Sequence, residues 1–304
     1  MPRPMVVAGL LTLVLGTGSA AQQPVFRTTT DMVGFGVTVT DRRGNFVTDL
    51  KPEDLEIVEE GAPQEIQLFT RGDDTETAPE MHIGLVFDTS GSMGDDITLA
   101  RSAAVKFLNT LTDAKDMTLV DFDTEVRVSK FEQASFPRLV ERIRARKPDG
   151  LTALYDAIGV YLTGAADDSG RKILVMFTDG GDTRSTTTFS KLVTMLRASD
   201  ATVYAIGFLE HQPAATRSEQ RQRISQIALE TGGEAFFPTE MKQVEDAYAK
   251  ILKQIRAQYT IGYVSSNRKQ DGRWRKVEIK VKRADIAGPK IQARKGYFAA
   301  AGEP

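Results

Sequence analysis

The hydrophobic pattern of this 304-residue chain changes twice along its length. Residues 25–73 alternate apolar and polar positions in short runs, a pattern typical of β-strands with one buried face. Residues 80–257 combine continuous apolar runs with longer stretches in which apolar residues recur at helical spacing. Short alternating runs return over residues 258–300. The pattern therefore predicts an α/β unit between two β segments.

The middle region is the most regular part of the pattern. Its continuous apolar runs indicate buried strands, at residues 83–87, 117–122, 172–178, 202–208 and 234–237. The run at 126–131 predicts a short antiparallel edge strand. Amphipathic stretches predict helices at residues 97–111, 136–146, 152–164, 189–199, 217–230 and 240–257. This alternation predicts the α/β class, with a doubly wound, mostly parallel sheet.

Each flanking β segment is too short to be stable alone. The first predicts one hairpin around residues 41–45 and a second in which 55–58 pair with 66–69. The last segment predicts strands at 259–263, 277–281 and 290–298. Because both segments are incomplete, we predict that 25–73 and 258–300 form one small all-β sandwich, into which the α/β unit at 80–257 is inserted.

Residues 1–20 have the features of a secretory signal peptide. Arg3 precedes an apolar run over residues 5–16, and small residues follow at 17–21. The apolar run is shorter than a membrane-spanning helix requires, although an uncleaved N-terminal anchor is the alternative. The rest of the chain has no apolar run of that length. We therefore expect an extracytoplasmic protein, periplasmic or secreted, with no transmembrane segment in the mature chain.

Composition narrows the class of protein further. The chain is 41% hydrophobic and 26% charged, which is enough to bury a substantial core. It has no cysteine, so disulfides are excluded, and an exported protein without them fits a bacterial envelope better than a eukaryotic secretory route. A formal net charge of −2 argues against a nucleic-acid binder.

Oxygen-bearing side chains stand in three loops, each at the end of a predicted element: Asp88, Ser90, Ser92, Thr152 and Asp179. Because the carboxyl ends of parallel strands meet at one edge of a sheet, we expect these side chains to converge there. Helix capping is the alternative for any one of these loops taken alone. Three such loops in one chain favour a shared site.

In type and order these residues resemble the metal-ion-dependent adhesion site of von Willebrand factor type A domains. The resemblance covers about residues 80 to 255, and residues 149–151 depart from it, since the family more often has consecutive glycines there. It implies a metal held by Asp88, Ser90 and Ser92 from the first loop, Thr152 from the second and Asp179 from the third. The β flanks resemble those of exported von Willebrand A-related proteins that are numerous in acidobacteria.

A ligand set made only of oxygen selects a hard cation. Hydroxyls, two carboxylates and water suit Mg²⁺ better than Ca²⁺, and Mn²⁺ would also bind in vitro. The chain's two histidines, His82 and His211, lack ligand spacing and are interpreted as ordinary surface or strand-edge residues. The resemblance implies that a partner protein fills the remaining coordination position with an Asp or Glu carboxylate.

The predicted function is an exported, metal-dependent protein-binding module for adhesion or assembly. One alternative is a structural envelope protein in which the metal site is vestigial. Another is a magnesium-dependent hydrolase, which needs a positioned base and usually a second metal or a nucleophile. The spare acids for that chemistry are explained more simply by capping and solvation: Asp95, Asp96, Asp156 and Asp182. We therefore do not expect an enzyme.

The mature protein should begin at Ala21 or Gln22, because small residues lie at the distance from the apolar run that signal peptidase requires. N-terminal sequencing of the protein isolated from its native envelope fraction tests this directly. Recovery of Met1 would contradict the prediction and favour the uncleaved anchor.

Overall fold

The structure, a computed structural model, describes residues 32–74, 78–111, 113–166 and 168–301. The predicted signal peptide, residues 1–20, lies outside the described residues and stays a prediction. In the described residues the helices are α1 (Ile97–Thr110), α2 (Phe136–Ala145), α3 (Leu154–Gly164), α4 (Phe189–Ala198), α5 (Ala214–Glu230) and α6 (Met241–Ala257). None of these helices is long and apolar enough to cross a membrane.

The strands, named in chain order over the same described residues, are β1 (Met32–Thr40), β2 (Leu55–Glu59), β3 (Ala62–Gln64), β4 (Leu68–Arg71), β5 (Met81–Asp88), β6 (Asp116–Phe122), β7 (Val126–Glu132), β8 (Arg171–Thr178), β9 (Thr202–Gly207), β10 (Ala235–Phe236), β11 (Tyr259–Val264), β12 (Trp274–Val281), β13 (Lys290–Gln292) and β14 (Gly296–Phe298). They form one six-stranded sheet and two four-stranded sheets.

The six-stranded sheet has the order β10-β9-β8-β5-β6-β7. Its pairings are parallel except at the edge, where β7 runs antiparallel to β6. Every residue of β5 and β8 is buried, because α1, α2 and α6 cover one face of the sheet and α3, α4 and α5 cover the other. The predicted α/β class with a mostly parallel sheet is confirmed.

The two four-stranded sheets are antiparallel and share one core. Their orders are β13-β1-β11-β4 and β14-β12-β2-β3, so each sheet combines strands from before and after the six-stranded sheet. Alternate residues of both sheets point into this core, among them Phe35, Val37, Ile57, Ile261 and Val277. The two flanks therefore pair with each other, whereas the domain boundaries inferred from the sequence stay a prediction.

Two details of the flanks differ from the sequence-based expectation. The predicted pairing of residues 55–58 with 66–69 is wrong, because β2 pairs with β3, and β4 pairs with β11 in the other sheet. The β2–β3 hairpin closes over Glu60 and Gly61, which both have positive φ angles, 48° and 86°. A two-residue turn of this kind matches the twist of the strands it joins. The run at 290–298 also divides into β13 and β14, which lie in different sheets.

A buried carboxylate joins the two sheets of the sandwich. Glu59, only 2% exposed, accepts hydrogen bonds from the hydroxyls of Tyr263 at 2.9 Å, Ser265 at 2.7 Å and Tyr297 at 3.0 Å. Tyr263 belongs to β11 in one sheet, whereas Glu59 and Tyr297 belong to the other. Burial and the neighbouring carboxylate raise the pKa of Tyr263, so this phenol stays a hydrogen-bond donor.

Replacing Glu59 with Ala should lower the free energy of unfolding by about 2–4 kcal/mol, because two buried hydroxyls and one partly buried hydroxyl lose this shared acceptor. Denaturant titration followed by the fluorescence of Trp274, the chain's single tryptophan, reports on this sandwich. Glu56→Ala is the matched control: its side chain on the same strand is 43% exposed, so the change should stay within about 0.5 kcal/mol. Equal effects of the two substitutions would contradict the role of Glu59.

Candidate metal centre

The central pair of strands brings two acidic residues to one edge of the sheet. The parallel register sets Phe87 of β5 opposite Phe177 of β8. Asp88 is the last residue of β5, and Asp179 comes directly after β8. Both carboxylates are fully buried. Asp88 thus belongs to the strand itself, which explains why its position is fixed by the sheet.

The first loop folds back on Asp88 through hydrogen bonds. Oδ1 of Asp88 accepts from the backbone N–H of Ser90 at 2.9 Å and from its hydroxyl at 2.6 Å, while Oδ2 accepts from the Thr178 hydroxyl at 2.6 Å. The hydroxyl oxygens of Ser90 and Ser92 are 3.1 Å apart. Ser90 is buried and Ser92 is exposed, so this oxygen cluster extends from the sheet to the surface.

The second carboxylate lies close enough to affect the first. Burial raises the pKa of Asp88 well above its ordinary range, and the negative charge of Asp179 raises it further. Asp179 accepts hydrogen bonds from the backbone N–H of Gly181 at 3.0 Å and from the side-chain amide of Gln212 at 2.9 Å. Two buried acids therefore repel each other here, and the hydrogen-bond donors that they have among the described residues are neutral groups.

Backbone hydrogen bonds hold the second loop between the other two. The Gly91 N–H donates to the Gly150 carbonyl at 3.1 Å, which joins the first and second loops. The Thr152 N–H donates to the Thr183 hydroxyl at 3.0 Å, and the Thr183 N–H donates to the Thr152 carbonyl at 2.9 Å. Thr152 is 4% exposed. The three loops that carry the five predicted residues are thus adjacent.

The second loop has a single glycine, Gly150, where the family more often has consecutive glycines. The φ angle of Gly150 is +73°, and a Cβ atom at this position would lie 2.4 Å from the hydroxyl oxygen of Thr124. A glycine is required here by both backbone conformation and close approach. The residues beside it, Asp149 and Leu151, have no such restriction, and both are exposed.

Two acids that the sequence analysis assigned to capping and solvation, Asp156 and Asp182, support the third loop. The backbone N–H groups of Thr186 and Thr187 donate to Asp156 at 2.8 and 2.9 Å. Asp182 accepts from the Tyr155 N–H at 2.9 Å. Burial raises the pKa of Asp156, but these hydrogen bonds outweigh it and leave the pKa below its ordinary value. Both acids therefore hold the third loop against α3, which is a role beyond capping and solvation.

The two histidines differ in environment: His211 is an exposed surface residue, as the sequence suggested, whereas His82 is buried. His82 lies in the central strand β5, is 6% exposed, and contacts Asp116 Oδ1 through Nδ1 at 3.0 Å. It is therefore not a surface or edge residue. The Nδ1 atom of His211 lies 3.0 Å from Oδ1 of the buried Asp96, at the start of α1. Sequence reasoning also missed Gln212; the signal was that the loop after β9 reaches the same sheet edge.

The donor set at this edge has the chemistry of a hard-cation site. Two carboxylates and three hydroxyl-bearing residues offer oxygen only, and a cation would relieve the repulsion between Asp88 and Asp179. Among the described residues, no group of three or more His, Cys, Asp or Glu could hold a metal ion. Metal binding at this edge would therefore depend on the hydroxyls of Ser90, Ser92 and Thr152.

Solved structures of similar fold include a pilus adhesin and a minor pilin. The pilus adhesin SpaC from Lactobacillus rhamnosus GG is 12% identical, with a TM-score of 0.50, over 86% of this chain and 49% of that one. A mutant of the PilB minor pilin from Streptococcus sanguinis is 16% identical, with a TM-score of 0.49, over 61% of this chain and 63% of that one. The chain thus spans less than two thirds of the length of each of these two structures.

A third similar structure is a von Willebrand factor type A protein from Catenulispora acidiphila, which is 16% identical with a TM-score of 0.47 over 91% of this chain and 76% of that one. No curated protein matches the sequence. The family model for the von Willebrand factor type A domain matches residues 82–250, more than half of the chain, and these residues include the six-stranded sheet and the three adjacent loops. The chain belongs to the von Willebrand factor type A domain family.

Proposed function

We propose that this chain is an exported, metal-dependent protein-binding module that acts in adhesion or assembly. In this proposal Mg²⁺, or Mn²⁺ in vitro, is the cofactor, and its ligands are Asp88, Ser90, Ser92, Thr152 and Asp179. The bound cation captures an Asp or Glu side chain of a partner protein. The module works outside the cytoplasm, in the periplasm or beyond it.

The observation that carries the proposal is the buried pair of acids at the carboxyl edge of the sheet. Burying one carboxylate without a cation is unfavourable, and burying a second beside it adds repulsion. Asp88 and Asp179 are both fully buried, and their charges act on each other. Hydroxyl donors offset part of this unfavourable burial, and a bound Mg²⁺ would offset the rest.

The same ligand set supports binding of a partner by the cation. Two carboxylates balance the formal charge of a divalent cation, but the other ligands are neutral hydroxyls, so the cation stays electrophilic. An anionic oxygen is therefore a better ligand than water for the remaining coordination position. The loops at residues 91–96, 150–152 and 180–185 would then contact the partner around that carboxylate. Leu151, 50% exposed beside Thr152, provides an apolar contact at this rim.

The similar fold of a pilus adhesin agrees with a role in adhesion or assembly, and it supports an extracellular or surface location. Catalysis is less well supported by the contacts around the site. Asp156 and Asp182 are both engaged by backbone N–H groups, so neither is placed as a free general base. Binding therefore accounts for the site better than hydrolysis.

Replacing Asp88 with Asn should weaken Mn²⁺ binding about a hundredfold or more, because the change removes a charged ligand and even outer-shell changes cost about ten- to a hundredfold. Asn keeps the shape of the side chain and removes the repulsion with Asp179, so the metal-free protein should stay folded. Titration calorimetry measures the affinity, and thermal unfolding in EDTA checks the fold. Asp95→Asn, at an exposed acid of the same region, is the matched control.

Unchanged Mn²⁺ affinity in Asp88→Asn would contradict the ligand assignment. In the wild-type protein, Mg²⁺ should also raise the unfolding temperature, because a ligand that binds only the native state stabilises it. That rise should disappear in Asp88→Asn and persist in Asp95→Asn. If Mg²⁺ leaves the unfolding temperature of the wild-type protein unchanged, the alternative of a vestigial metal site is favoured.

Capture of a partner should require both the cation and Thr152. Immobilised protein is incubated with envelope extract in Mg²⁺ or in EDTA, and bound proteins are identified by mass spectrometry. A partner retained by the wild type in Mg²⁺ should be lost in EDTA and with Thr152→Ala, but kept with Thr194→Ala, which changes an exposed threonine on α4. Retention through both EDTA and Thr152→Ala would place recognition on another surface.

A further inference from the structure

The opposite edge of the six-stranded sheet, where it meets the sandwich, carries buried positive charge. Arg171 and Lys172 begin β8 and are 8% and 6% exposed. Arg294, between β13 and β14, reaches the same region, since its guanidinium donates to the carbonyls of Ser199 at 3.0 Å and Gly34 at 2.6 Å. Three cationic side chains therefore meet at this junction.

Only one of these cations has an acidic partner among the described residues. The Lys172 ammonium lies 2.9 Å from both carboxylate oxygens of Asp200. Arg171 donates instead to neutral acceptors, the Ile255 carbonyl at 2.5 Å and the Gln258 side chain at 3.3 Å. The Nε atoms of Arg171 and Arg294 are buried without a hydrogen-bond partner. The junction thus holds buried positive charge that the described residues do not neutralise.

A cavity of about 450 Å³ opens at this junction and is lined by Arg294, Lys172 and Asp200 together with apolar side chains. The apolar lining includes Met32, Leu162, Met195 and Phe298. Two of these, Met32 and Phe298, are among the large hydrophobic residues most exposed in the described chain, at 44% and 36%. The cavity volume lies within the range of small-molecule sites, about 300–1,000 Å³.

The remaining donors of Arg294 suit a ligand with a single negative charge. Each of its two terminal nitrogens donates to one backbone carbonyl and keeps one further N–H. That is enough for a carboxylate, whereas a phosphate dianion would need more donors and a second unpaired cation in the cavity lining. Since Lys172 is already paired with Asp200, Arg294 is the one cation left to balance a ligand among the described residues that line the cavity.

We propose that this cavity binds a carboxylate attached to an apolar chain or ring, with the carboxylate at Arg294 and the apolar group against Met32, Leu162, Met195 and Phe298. Such a group could come from an acyl carboxylate or from the C-terminal residue of a polypeptide. The site is independent of the candidate metal centre, which lies at the other end of the sheet's strands.

Titration calorimetry with octanoate, and with octanamide as its uncharged analogue, tests the proposal. Octanoate should bind the wild-type protein at millimolar or lower concentration, and Arg294→Met should weaken it about tenfold or more, because a charge-assisted contact is lost. Octanamide should bind weakly and equally to both proteins. Arg221→Met, which changes a cation stacked on Phe237 outside the cavity, is the matched control.

A second variant keeps the test decisive if Arg294→Met does not fold. Ala166 is exposed and lines the cavity, so Ala166→Trp should fill it without removing any charge and should abolish octanoate binding. EDTA should leave octanoate binding unchanged, which separates this site from the metal centre. The proposal would be overturned if the wild-type protein bound neither octanoate nor N-acetylphenylalanine, a second carboxylate probe. It would also be overturned if octanoate bound the wild type and Ala166→Trp with equal affinity.

N-acetylphenylalanine distinguishes the two sources of the carboxylate. Tighter binding of this compound than of octanoate, with the same dependence on Arg294, would identify a polypeptide C-terminus as the ligand. Tighter binding of octanoate would identify an acyl carboxylate. If either compound binds equally well to wild type and Arg294→Met, while Ala166→Trp still blocks it, the carboxylate does not contact Arg294 and the proposal fails.

Discussion

The parallel pairing of β5 with β8 is the constraint on which the candidate metal centre depends. Its register sets Phe87 beside Phe177, so that Asp88 and Asp179 emerge together at the carboxyl edge. Helices cover both faces of the sheet and exclude solvent from these strands. Both acids are therefore buried, and burial raises the pKa of Asp88. The electrostatic character of the site is therefore a consequence of how the sheet is covered.

Each sheet of the sandwich pairs strands that precede the α/β unit with strands that follow it. Strand β1 pairs with β11, and β2 pairs with β12, so neither sheet is complete until the chain has passed through the whole inserted unit. At the seam, Gly36 leaves room for the buried side chain of Gln258, whose Nε2 atom would lie 2.6 Å from a Cβ atom at position 36. Glu59 then connects the sheets by hydrogen bonds that neither flank could form alone.

The two edges of the six-stranded sheet differ in the charges that they bury without an ion-pair partner among the described residues. The carboxyl edge buries the acids Asp88 and Asp179, whereas the amino edge buries Arg171 and Lys172 beside Arg294. Lys172 is paired with Asp200, but the charges of Asp88 and Asp179 at one edge, and of Arg171 and Arg294 at the other, have no ion-pair partner among the described residues and are unfavourable unless an opposite charge is supplied. This contrast underlies the two proposals made above, a cation with a partner carboxylate at the carboxyl edge and a small carboxylate at the amino edge.

Periodicity and strand-end chemistry in the sequence determined the α/β class, the approximate helix and strand positions, and the three loops that converge. These features are local, since apolar spacing sets the element and the residues directly after each parallel strand gather at one sheet edge. Which strands pair and which side chains contact each other is not determined by local sequence. The pairing of β4 with β11, the contact of Gln212 with Asp179 and the charge around Arg294 all join residues far apart in sequence. Only the tertiary structure decides such contacts, because they depend on packing across the whole chain.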